Sequence, residues 1–314
     1  MAITLNVEPR RVMTWAEFRR EKPPYSIALD GFVQDKTKRD EDGPYANFDH
    51  HHRSDRIATR STAEQVHIET NLDLFDTFRH NGIPTVNIFV NDPDEDTSLA
   101  VWLLQNHERV ISHAEPAINR LVYCEDRLDC TAGGYPLGDT EMRRRMAWIF
   151  EPYNLARFDG SLATMDAGGM AAVIESIGRR ITEYSLGRGD ERPLEGNYER
   201  IGGGDGWTMT RETGPASRLA MYNDGIKAYI ALVAEKEDGS FVYTIGRKSS
   251  WVRSLRNDWL YRGLNRLEAN IVTKENMWGG SDTIGGSPKK TGSKVPPERL
   301  IPAVIEIMGK KLVA

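Results

Sequence analysis

Residues 84–104 read PTVNIFVNDPDEDTSLAVWLL, and this stretch decides the predicted fold. The apolar run at 84–90 predicts a buried strand that ends at a turn rich in carboxylates. The segment at 97–104 predicts a helix whose Thr or Ser cap follows the acidic residues. A buried strand that leads through a turn into a helix is typical of an α/β domain with a parallel sheet.

Two further apolar runs in the first half of the chain end on carboxylates in the same way. YSIAL at 25–29 runs into Asp30, and LVYC at 121–124 runs into Glu125 and Asp126. In open α/β sheets the ligand site lies at the carboxyl ends of the strands. We therefore expect these acidic side chains to gather at one edge of a largely parallel sheet.

The length of 314 residues favours two domains. MAAVIESIGRRITEYSL at 170–186 has helical periodicity, and the polar, glycine-rich stretch at 187–206 is typical of a linker. The predicted fold is α/β, with a largely parallel-sheet N-terminal domain at 1–186 and a smaller α/β domain at 207–314.

The pattern of the last third differs from that of the first. Residues 228–235 and 240–245 flank a KEDG turn and predict a β-hairpin. A glycine-rich segment follows at 278–294, and 297–308 predicts a closing helix. Glycines permit close backbone approach, so the amide groups of the glycine-rich segment could converge on an anion.

The charge of the chain bears on its partners. Hydrophobic residues make up 39% and charged residues 28%, the balance of an ordinary globular protein, and the formal net charge is −5. Proteins that follow a long nucleic-acid backbone usually carry a basic surplus. A long nucleic acid is therefore not the expected partner, whereas a small anion is compatible with an acidic pocket that holds cations.

Neither a membrane span nor a disulfide framework is expected. The longest apolar run, at 226–234, is too short to cross a bilayer, and the N-terminal residues lack the pattern of a secretory signal. The two cysteines, Cys124 and Cys130, indicate a reducing compartment and are interpreted as packing residues. These features favour a cytoplasmic protein, and a homodimer stays open.

FDHHHR at 48–53 is the most informative stretch for chemistry. Three consecutive histidines, His50, His51 and His52, follow Asp49. Imidazole and carboxylate together bind divalent transition metals well, and two adjacent histidines can serve a metal and an incoming anion respectively. A tag fragment or a solvated loop is the alternative, but the internal position of the cluster argues against a tag.

Other aspartates are candidate ligands, each with an alternative. Asp94 and Asp96 can point to one side and hold cations, or can be an acidic helix N-terminus. Asp126 and Asp129 fall one helical turn apart and can share a ligand face, or can lie on a surface helix. Asp30 is a strand-end ligand or a turn former.

Several of these motifs resemble the DHH phosphoesterase superfamily. FDHHHR with ATRSTAE at 58–64 is similar to its Asp-His-His signature, and VNDPDED at 90–96 resembles its first metal loop. EDRLD at 125–129 is similar to a paired-aspartate segment of one branch. IGRKS at 245–249 and WGGSDTIGGSP at 278–288 resemble the DHH-associated substrate-binding domain.

The chain departs from the family pattern at three places. The family's histidine ahead of Asp-x-Asp is missing, with Val90 and Asn91 in its vicinity. The loop with Asp94 and Asp96 follows the DHH loop, whereas it precedes that loop in most of the superfamily. The family's Gly-Gly-His loop reads Gly285-Gly286-Ser287. The resemblance therefore implies the type of reaction more directly than it implies the substrate.

The resemblance implies a dinuclear centre with two Mn²⁺, or with Mg²⁺ or Co²⁺. Its expected ligands are Asp30, Asp49, His50, Asp94, Asp96 and either Asp126 or Asp129. His51 would ligate a metal or contact the transferred phosphate, and His51 and Asp49 are the expected catalytic residues. The expected substrate-binding residues are Arg247, Lys248, Ser249, Gly285, Gly286, Ser287, Lys289 and Lys290.

The predicted function is hydrolysis of a small phosphorylated substrate. The resemblance implies a short oligonucleotide, a cyclic dinucleotide, a nucleotide or pyrophosphate. Two cations would stabilise both the attacking and the leaving oxygen. A metal-dependent hydrolase of a non-phosphate bond and a non-catalytic nucleotide-binding module on the same fold are the alternatives.

Overall fold

The chain forms two compact units. The computed structural model describes residues 2–40, 43–112, 115–214, 216–274 and 276–309. The N-terminal unit comprises Met1–Cys130, Leu137–Tyr153 and Met165–Pro193. The C-terminal unit comprises Thr131–Pro136, Asn154–Thr164 and Leu194–Ala314.

The N-terminal unit is built on a largely parallel sheet. Its strands are β1 (Ala2–Val7), β2 (Ser26–Leu29), β3 (Lys38–Arg39), β4 (Tyr45–Phe48), β5 (Arg79–His80) and β6 (Ile83–Val90). The order is β1-β6-β2-β4-β3, with β5 paired to β6. The pairs β1/β6, β2/β6 and β2/β4 are parallel, whereas the two short strands β3 and β5 pair antiparallel. The prediction of a largely parallel α/β sheet is confirmed.

Helices accompany this sheet. They are α1 (Trp15–Glu21), α2 (Thr62–Asn71), α3 (Leu74–Thr77), α4 (Glu95–Gln105), α5 (His107–Ser112), α6 (Pro116–Cys130), α7 (Thr140–Ile149) and α9 (Ala167–Ser185). The helix α8 (Glu151–Phe158) lies where the division between the units falls. Helix α4 is buried from Asp96 to Leu104, which explains its nearly unbroken apolar sequence. The helix predicted at 170–186 is confirmed by α9.

Two sequence predictions about these helices are wrong. Helix α4 begins at Glu95 and is capped by Asp94, not by a Thr or Ser further along. The apolar run at 121–124 is not a strand end, because it lies inside α6. The buried residues Ile118, Leu121 and Val122 recur at helical spacing there, so the longer helical period decides the structure of the run.

The strand register brings the acidic turns together. Leu29 in β2 lies opposite Phe48 in β4, and β6 runs parallel on the other side of β2. Asp30 and Asp49, the next residues along, therefore leave the sheet side by side. Asp30 has a φ of 44° and Gly31 a φ of 78°, so the chain turns sharply through the left-handed region, which suits glycine and is tolerated by aspartate.

The C-terminal unit contains a second sheet, in the order β11-β12-β10-β9-β8-β7. Its elements are β7 (Tyr198–Gly204), β8 (Trp207–Glu212), β9 (Ala228–Glu235), β10 (Phe241–Arg247), β11 (Gly279–Gly280), β12 (Ile284–Gly286), α10 (Ser217–Asn223), α11 (Asn257–Leu267) and α12 (Pro297–Gly309). The pair β8/β9 is parallel and the other pairs are antiparallel.

Two of the elements predicted for the last third of the chain are confirmed, and the predicted linker is shorter than expected. The antiparallel pair β9/β10 confirms the hairpin, and α12 confirms the closing helix. The predicted linker at 187–206 was set too long, because β7 already begins at Tyr198 and pairs with β8. In the part of the chain that the structure describes, no helix combines the length and the apolar character needed to span a bilayer.

Candidate metal centre

The loop after β4 is organised by Asp49. Its Oδ2 accepts the backbone N–H groups of His51 at 3.2 Å and His52 at 2.8 Å. Thr37 holds its backbone from the other side: the Thr37 hydroxyl donates to Asp49 O at 2.7 Å and accepts from Asp49 N at 3.1 Å. Asp49 is fully buried, and its Oδ1 has no hydrogen-bond partner among the described residues.

The ring of His50 lies where four segments of the chain meet. Its Nε2 is 2.9 Å from Asp129 Oδ2, 3.5 Å from Asp30 Oδ1 and 3.6 Å from Asp96 Oδ2. His51 Nε2 lies 2.8 Å from the same Asp30 oxygen. Donor atoms that share one ion at 2.0–2.2 Å lie about 3.0–3.5 Å from each other. The separations around His50 are of this size.

Two of these atoms lack hydrogen-bond partners. His50 Nε2 and Asp129 Oδ2 approach each other to 2.9 Å, yet neither has a hydrogen bond of acceptable geometry within the described residues. His50 is fully buried, and buried polar atoms are normally satisfied. Two partnerless atoms directed at one point fit a divalent cation as their common partner.

Three groups of side chains within the described residues bring potential ligand atoms to within 4.8 Å of one another. They are Asp30 with His50 and His51, His50 with Asp129 and Cys130, and Asp96 with Glu125 and Asp129. Five of the predicted ligands belong to these groups, among them Asp129 from the pair that sequence left open.

The other predicted ligands have different roles. Asp49 holds the loop, as described above. Asp94 caps α4, since its Oδ1 accepts the Thr97 N–H at 2.9 Å. Asp126 accepts the Ser61 N–H at 2.8 Å and pairs with Arg60 at 3.3 Å. Asp49, Asp94 and Asp126 are absent from the three groups that the described residues form.

The N-terminus of α2 stabilises this concentration of acids. The Thr62 and Ala63 N–H groups donate to Asp96 Oδ2 and Oδ1 at 2.7 and 2.6 Å. The preceding Ser61 N–H donates to Asp126. Because the first amides of a helix carry no intrahelical partner and form its positive end, they offset part of the buried negative charge.

The position of Arg56 determines which ring nitrogen of His51 carries the proton. Its guanidinium, 6% exposed, donates to Asp129 Oδ1 at 2.8 Å and lies 3.1 Å from His51 Nδ1. A guanidinium cannot accept a hydrogen bond, so Nδ1 must supply the lone pair. A neutral His51 therefore carries its proton on Nε2, which faces Asp30.

His50 has the opposite arrangement. The Cys130 thiol donates to Thr59 O at 3.3 Å, and its sulfur lies 4.0 Å from His50 Nδ1. The sulfur is thus available to accept the Nδ1 proton. In neutral His50 the Nε2 lone pair then faces Asp30, Asp96 and Asp129, as a metal ligand requires. Without a cation, burial lowers the pKa of His50, but Asp129 outweighs it and holds the pKa well above its usual range, so that His50 is then itself cationic.

Cationic neighbours keep two of the acids ionised. Burial works against ionisation of Asp30, but the His51 and His50 imidazoles outweigh it and hold its pKa well below the usual range. Burial also opposes ionisation of Asp129, yet Arg56 and His50 lower its pKa to about 2.

The remaining acids are not neutralised in this way. Burial, with the charges of Asp129 and Asp30 beside it, raises the pKa of Asp96 to about 7. Burial is the main reason why the pKa of Glu125 is raised well above its usual range, and the charges of Asp96 and Asp129 add to it. The pKa of Asp94 is raised in the same direction by burial and by the charge of Asp30. A cation at this point would relieve the repulsion that these shifts express.

Three residues of the centre were not among the predicted site residues. Cys130 was interpreted as a packing residue, yet it belongs to the group with His50 and Asp129. Arg56 lies only five residues beyond His51, but nothing in its spacing marks it as buried. Glu125 lies one helical turn before Asp129; the sequence analysis placed Asp126 on the face of Asp129, and Glu125, four residues before Asp129, was not chosen.

The predicted substrate-binding residues lie in the C-terminal unit, and several have internal partners there. Arg247 is 4% exposed, and its guanidinium donates to Asp282 and to Val252 O. The Ser287 hydroxyl accepts the Tyr243 N–H at 3.0 Å.

The two glycines of this predicted set lie in β12 between β10 and β11, so strands pair with them on both sides. A Cβ on Gly285 would collide with the Tyr261 hydroxyl. These glycines therefore permit close packing.

The three lysines of the set and Ser249 are more accessible. Lys248, Lys289 and Lys290 are exposed, and Ser249 is half-buried. The Lys248 ammonium lies 5.8 Å from the centre of the Tyr222 ring. Contact of these side chains with a substrate stays a prediction.

Comparison with known proteins does not add a family name. No protein-family profile matches the sequence, and no curated protein matches it.

Proposed function

We propose that the N-terminal unit is a divalent-metal-dependent hydrolase of phosphate esters, the activity that its DHH-like motifs imply. One observation carries the proposal: His50 Nε2 lies 2.9–3.6 Å from carboxylate oxygens of Asp129, Asp30 and Asp96, without a hydrogen-bond partner among the described residues. A set of imidazole and carboxylate donors suits Mn²⁺ or Co²⁺, and Mg²⁺ is compatible with the oxygen donors.

Asp30 and His50 would hold a cation, and Asp129 Oδ2 points to the same place. When bound, divalent cations supply a nucleophile from water at neutral pH and stabilise charge on attacking and leaving oxygens. Two observations support a cation here. Two buried donor atoms converge without a hydrogen-bond partner among the described residues, and the negative charge of the acids exceeds what Arg56 and the N-terminus of α2 offset.

His51 has a separate role in this proposal. Its side chain is 32% exposed, whereas that of His50 is fully buried, so His51 is the histidine that an incoming substrate can reach. With Nδ1 occupied by Arg56, its Nε2–H faces Asp30 at 2.8 Å and would exchange that partner for an ester oxygen in order to donate to the substrate. His51 would thus contact the substrate and His50 the metal.

The proposed substrate is a small phosphorylated molecule such as a nucleotide, a cyclic dinucleotide, a short oligonucleotide or pyrophosphate. The acid excess of the centre and the net charge of −5 support a small anion over a long strand. A cation at the centre would reverse the local field and attract the anion.

The proposal is tested by metal removal and restoration. Protein treated with a chelator should lose hydrolysis of bis(4-nitrophenyl) phosphate and pyrophosphate, and Mn²⁺ should restore it. His50→Gln and Asp30→Asn should each lower kcat/KM by at least about 100-fold. His80→Gln, on the exposed strand β5, is the matched control, and His52→Gln should have a milder effect than His50→Gln.

Other outcomes would redirect the assignment. Full activity in chelator would overturn the metal mechanism. Metal-dependent cleavage of peptide or acyl substrates only would favour a hydrolase of a non-phosphate bond. Metal binding without turnover of any substrate in the panel would favour a binding module.

A further inference from the structure

An indole projects from the surface of the C-terminal unit. Trp251 lies in the turn between β10 and α11 and is 90% exposed, the highest exposure of any large hydrophobic residue in the part of the chain that the structure describes. Large aromatic side chains are normally packed away from water, since each can bury about 150–250 Å². At this exposure both faces of the indole ring are open.

The turn that carries Trp251 is held firmly. The Arg247 guanidinium donates to Val252 O at 2.7 Å, and the Val252 N–H donates to Ser249 O at 3.1 Å. The side chain of Leu255 is fully buried, although its backbone has a φ of 53°, which is strained for a leucine. A strained residue locked into the core close to an exposed tryptophan indicates that the fold itself presents the indole to its surroundings.

The segment 251–266 is basic within an acidic chain. It reads WVRSLRNDWLYRGLNR, with four arginines and one aspartate and hence a net charge of +3, whereas the whole chain carries −5. The four arginines are exposed: Arg253, Arg256, Arg262 and Arg266. Trp259 is 41% exposed on the face of α11 that carries the last two of them, while Leu260 and Leu264 of the same helix are buried in the core. The basic segment thus presents two accessible indoles among its arginines.

Indoles among arginines can serve a single-stranded nucleic acid or a lipid surface. A stacked nucleobase covers one face of an aromatic ring, so a stacking site has no use for the second open face of Trp251. The interface of a bilayer surrounds an indole on all sides, and tryptophan is enriched there. Clusters of about four to eight basic residues on an amphipathic helix bind anionic lipids. The openness of Trp251 and the four arginines therefore favour a lipid surface.

We propose that the segment 251–266 attaches the protein reversibly to an anionic lipid surface. Trp251 would enter the headgroup region, and the arginines would contact the negative charges of the lipids. One fully exposed indole with four cations gives weak, salt-sensitive binding, because salt screens the attraction between exposed charges. None of the predicted metal-binding or substrate-binding residues belongs to this segment, so the proposal holds whether or not the protein is a hydrolase.

The test is co-sedimentation of the full chain with lipid vesicles. Wild-type protein should bind vesicles of phosphatidylcholine with about one third phosphatidylserine at least about tenfold more tightly than vesicles of phosphatidylcholine alone, and salt should release it. Trp251→Ala should weaken binding to the mixed vesicles at least about tenfold. Leu72→Ala is the matched control, since it truncates a side chain that is 68% exposed on the N-terminal unit, and should bind as the wild type does.

The charges are tested separately. Arg262→Gln with Arg266→Gln should weaken binding to the mixed vesicles by roughly 30-fold. Arg144→Gln with Arg179→Gln removes the same charge from exposed positions on α7 and α9 and should leave binding unchanged. Thermal melts show that each variant folds.

A second measurement follows the indole itself. Brominated lipids in the mixed vesicles should quench the fluorescence of the wild type more than that of Trp251→Phe. No binding to the mixed vesicles, equal binding to both kinds of vesicle, or unchanged binding and quenching in the Trp251 variants would overturn the proposal. Binding of a fluorescent oligothymidylate that depends on Trp251, without binding to vesicles, would assign the segment to single-stranded nucleic acid instead.

Discussion

Replacing Arg56 by lysine is the sharpest test of how the histidine pair is set. The guanidinium makes four hydrogen bonds, three to Asp129 and one to His51 Nδ1. A lysine keeps the positive charge but has no planar fork, so it cannot serve both partners. We expect Arg56→Lys to keep its pairing with Asp129 and to lose the bond to His51.

The size of the effect follows from that one bond. A hydrogen bond with a charged partner contributes about 1.5–3 kcal/mol. If this amount holds the productive tautomer of His51, kcat should fall by roughly 10- to 150-fold. KM should change little, because Arg56 is 6% exposed and its donors are engaged within the unit.

Two assays separate positioning from damage to the fold. Steady-state kinetics on bis(4-nitrophenyl) phosphate at saturating Mn²⁺ give kcat and KM, and ¹⁵N spectra of labelled histidines show which ring nitrogen of His51 carries the proton. Wild-type protein should show a protonated Nε2, and Arg56→Lys should show a mixture of tautomers. Unchanged kcat with a protonated Nε2 in the variant would refute the role of Arg56.

Further predictions concern the C-terminal unit. Glu212 pairs with Arg218 at 2.9 Å and with Arg157 at 2.6 Å. Burial opposes ionisation of Glu212, but these two arginines lower its pKa from 4.5 to about 2, so its stabilisation is complete above pH 4.5 and is lost as the pH falls towards 2. Glu212→Gln should flatten this dependence in thermal melts between these pH values; an unchanged slope would contradict the assignment. Gly285→Ala should destabilise the protein by about 1–3 kcal/mol in urea unfolding, since its Cβ meets Tyr261, whereas Gly279→Ala meets nothing within 4 Å and should not. Lys289→Ala should raise KM for short phosphorylated substrates more than it lowers kcat, with a shallow salt dependence; steep salt dependence on long strands would favour an exonuclease.

The sequence predicted the elements that carry the candidate ligands better than the roles of the individual acids. Asp30 and Asp49 follow buried parallel strands, so their position at one sheet edge follows from the pattern of apolar runs. Asp94 could not be separated from Asp96 in this way. Both lie where the same apolar helix begins, and the residue at which it begins decides that Asp94 is the cap and that Asp96, in the first turn, turns inward to α2.

The remaining features depend on contacts between distant segments. Arg56 and Asp129 are 73 residues apart, and no local period announces their pairing. Glu125 was within reach of sequence reasoning, but Asp126 was placed on the face of Asp129 in its stead. Local sequence patterns were thus insufficient to predict ion pairs between distant segments and the residue at which a helix begins.

The engaged amides at the start of α2 have a consequence for the order in which the proposed enzyme would bind its ligands. Helix N-termini commonly receive phosphate groups, but here the Thr62 and Ala63 N–H groups are occupied by Asp96. An anionic substrate therefore meets repelling carboxylates unless cations have arrived first. We expect compulsory-order kinetics in which metal precedes substrate, and phosphate analogues should show no measurable affinity for the metal-free protein.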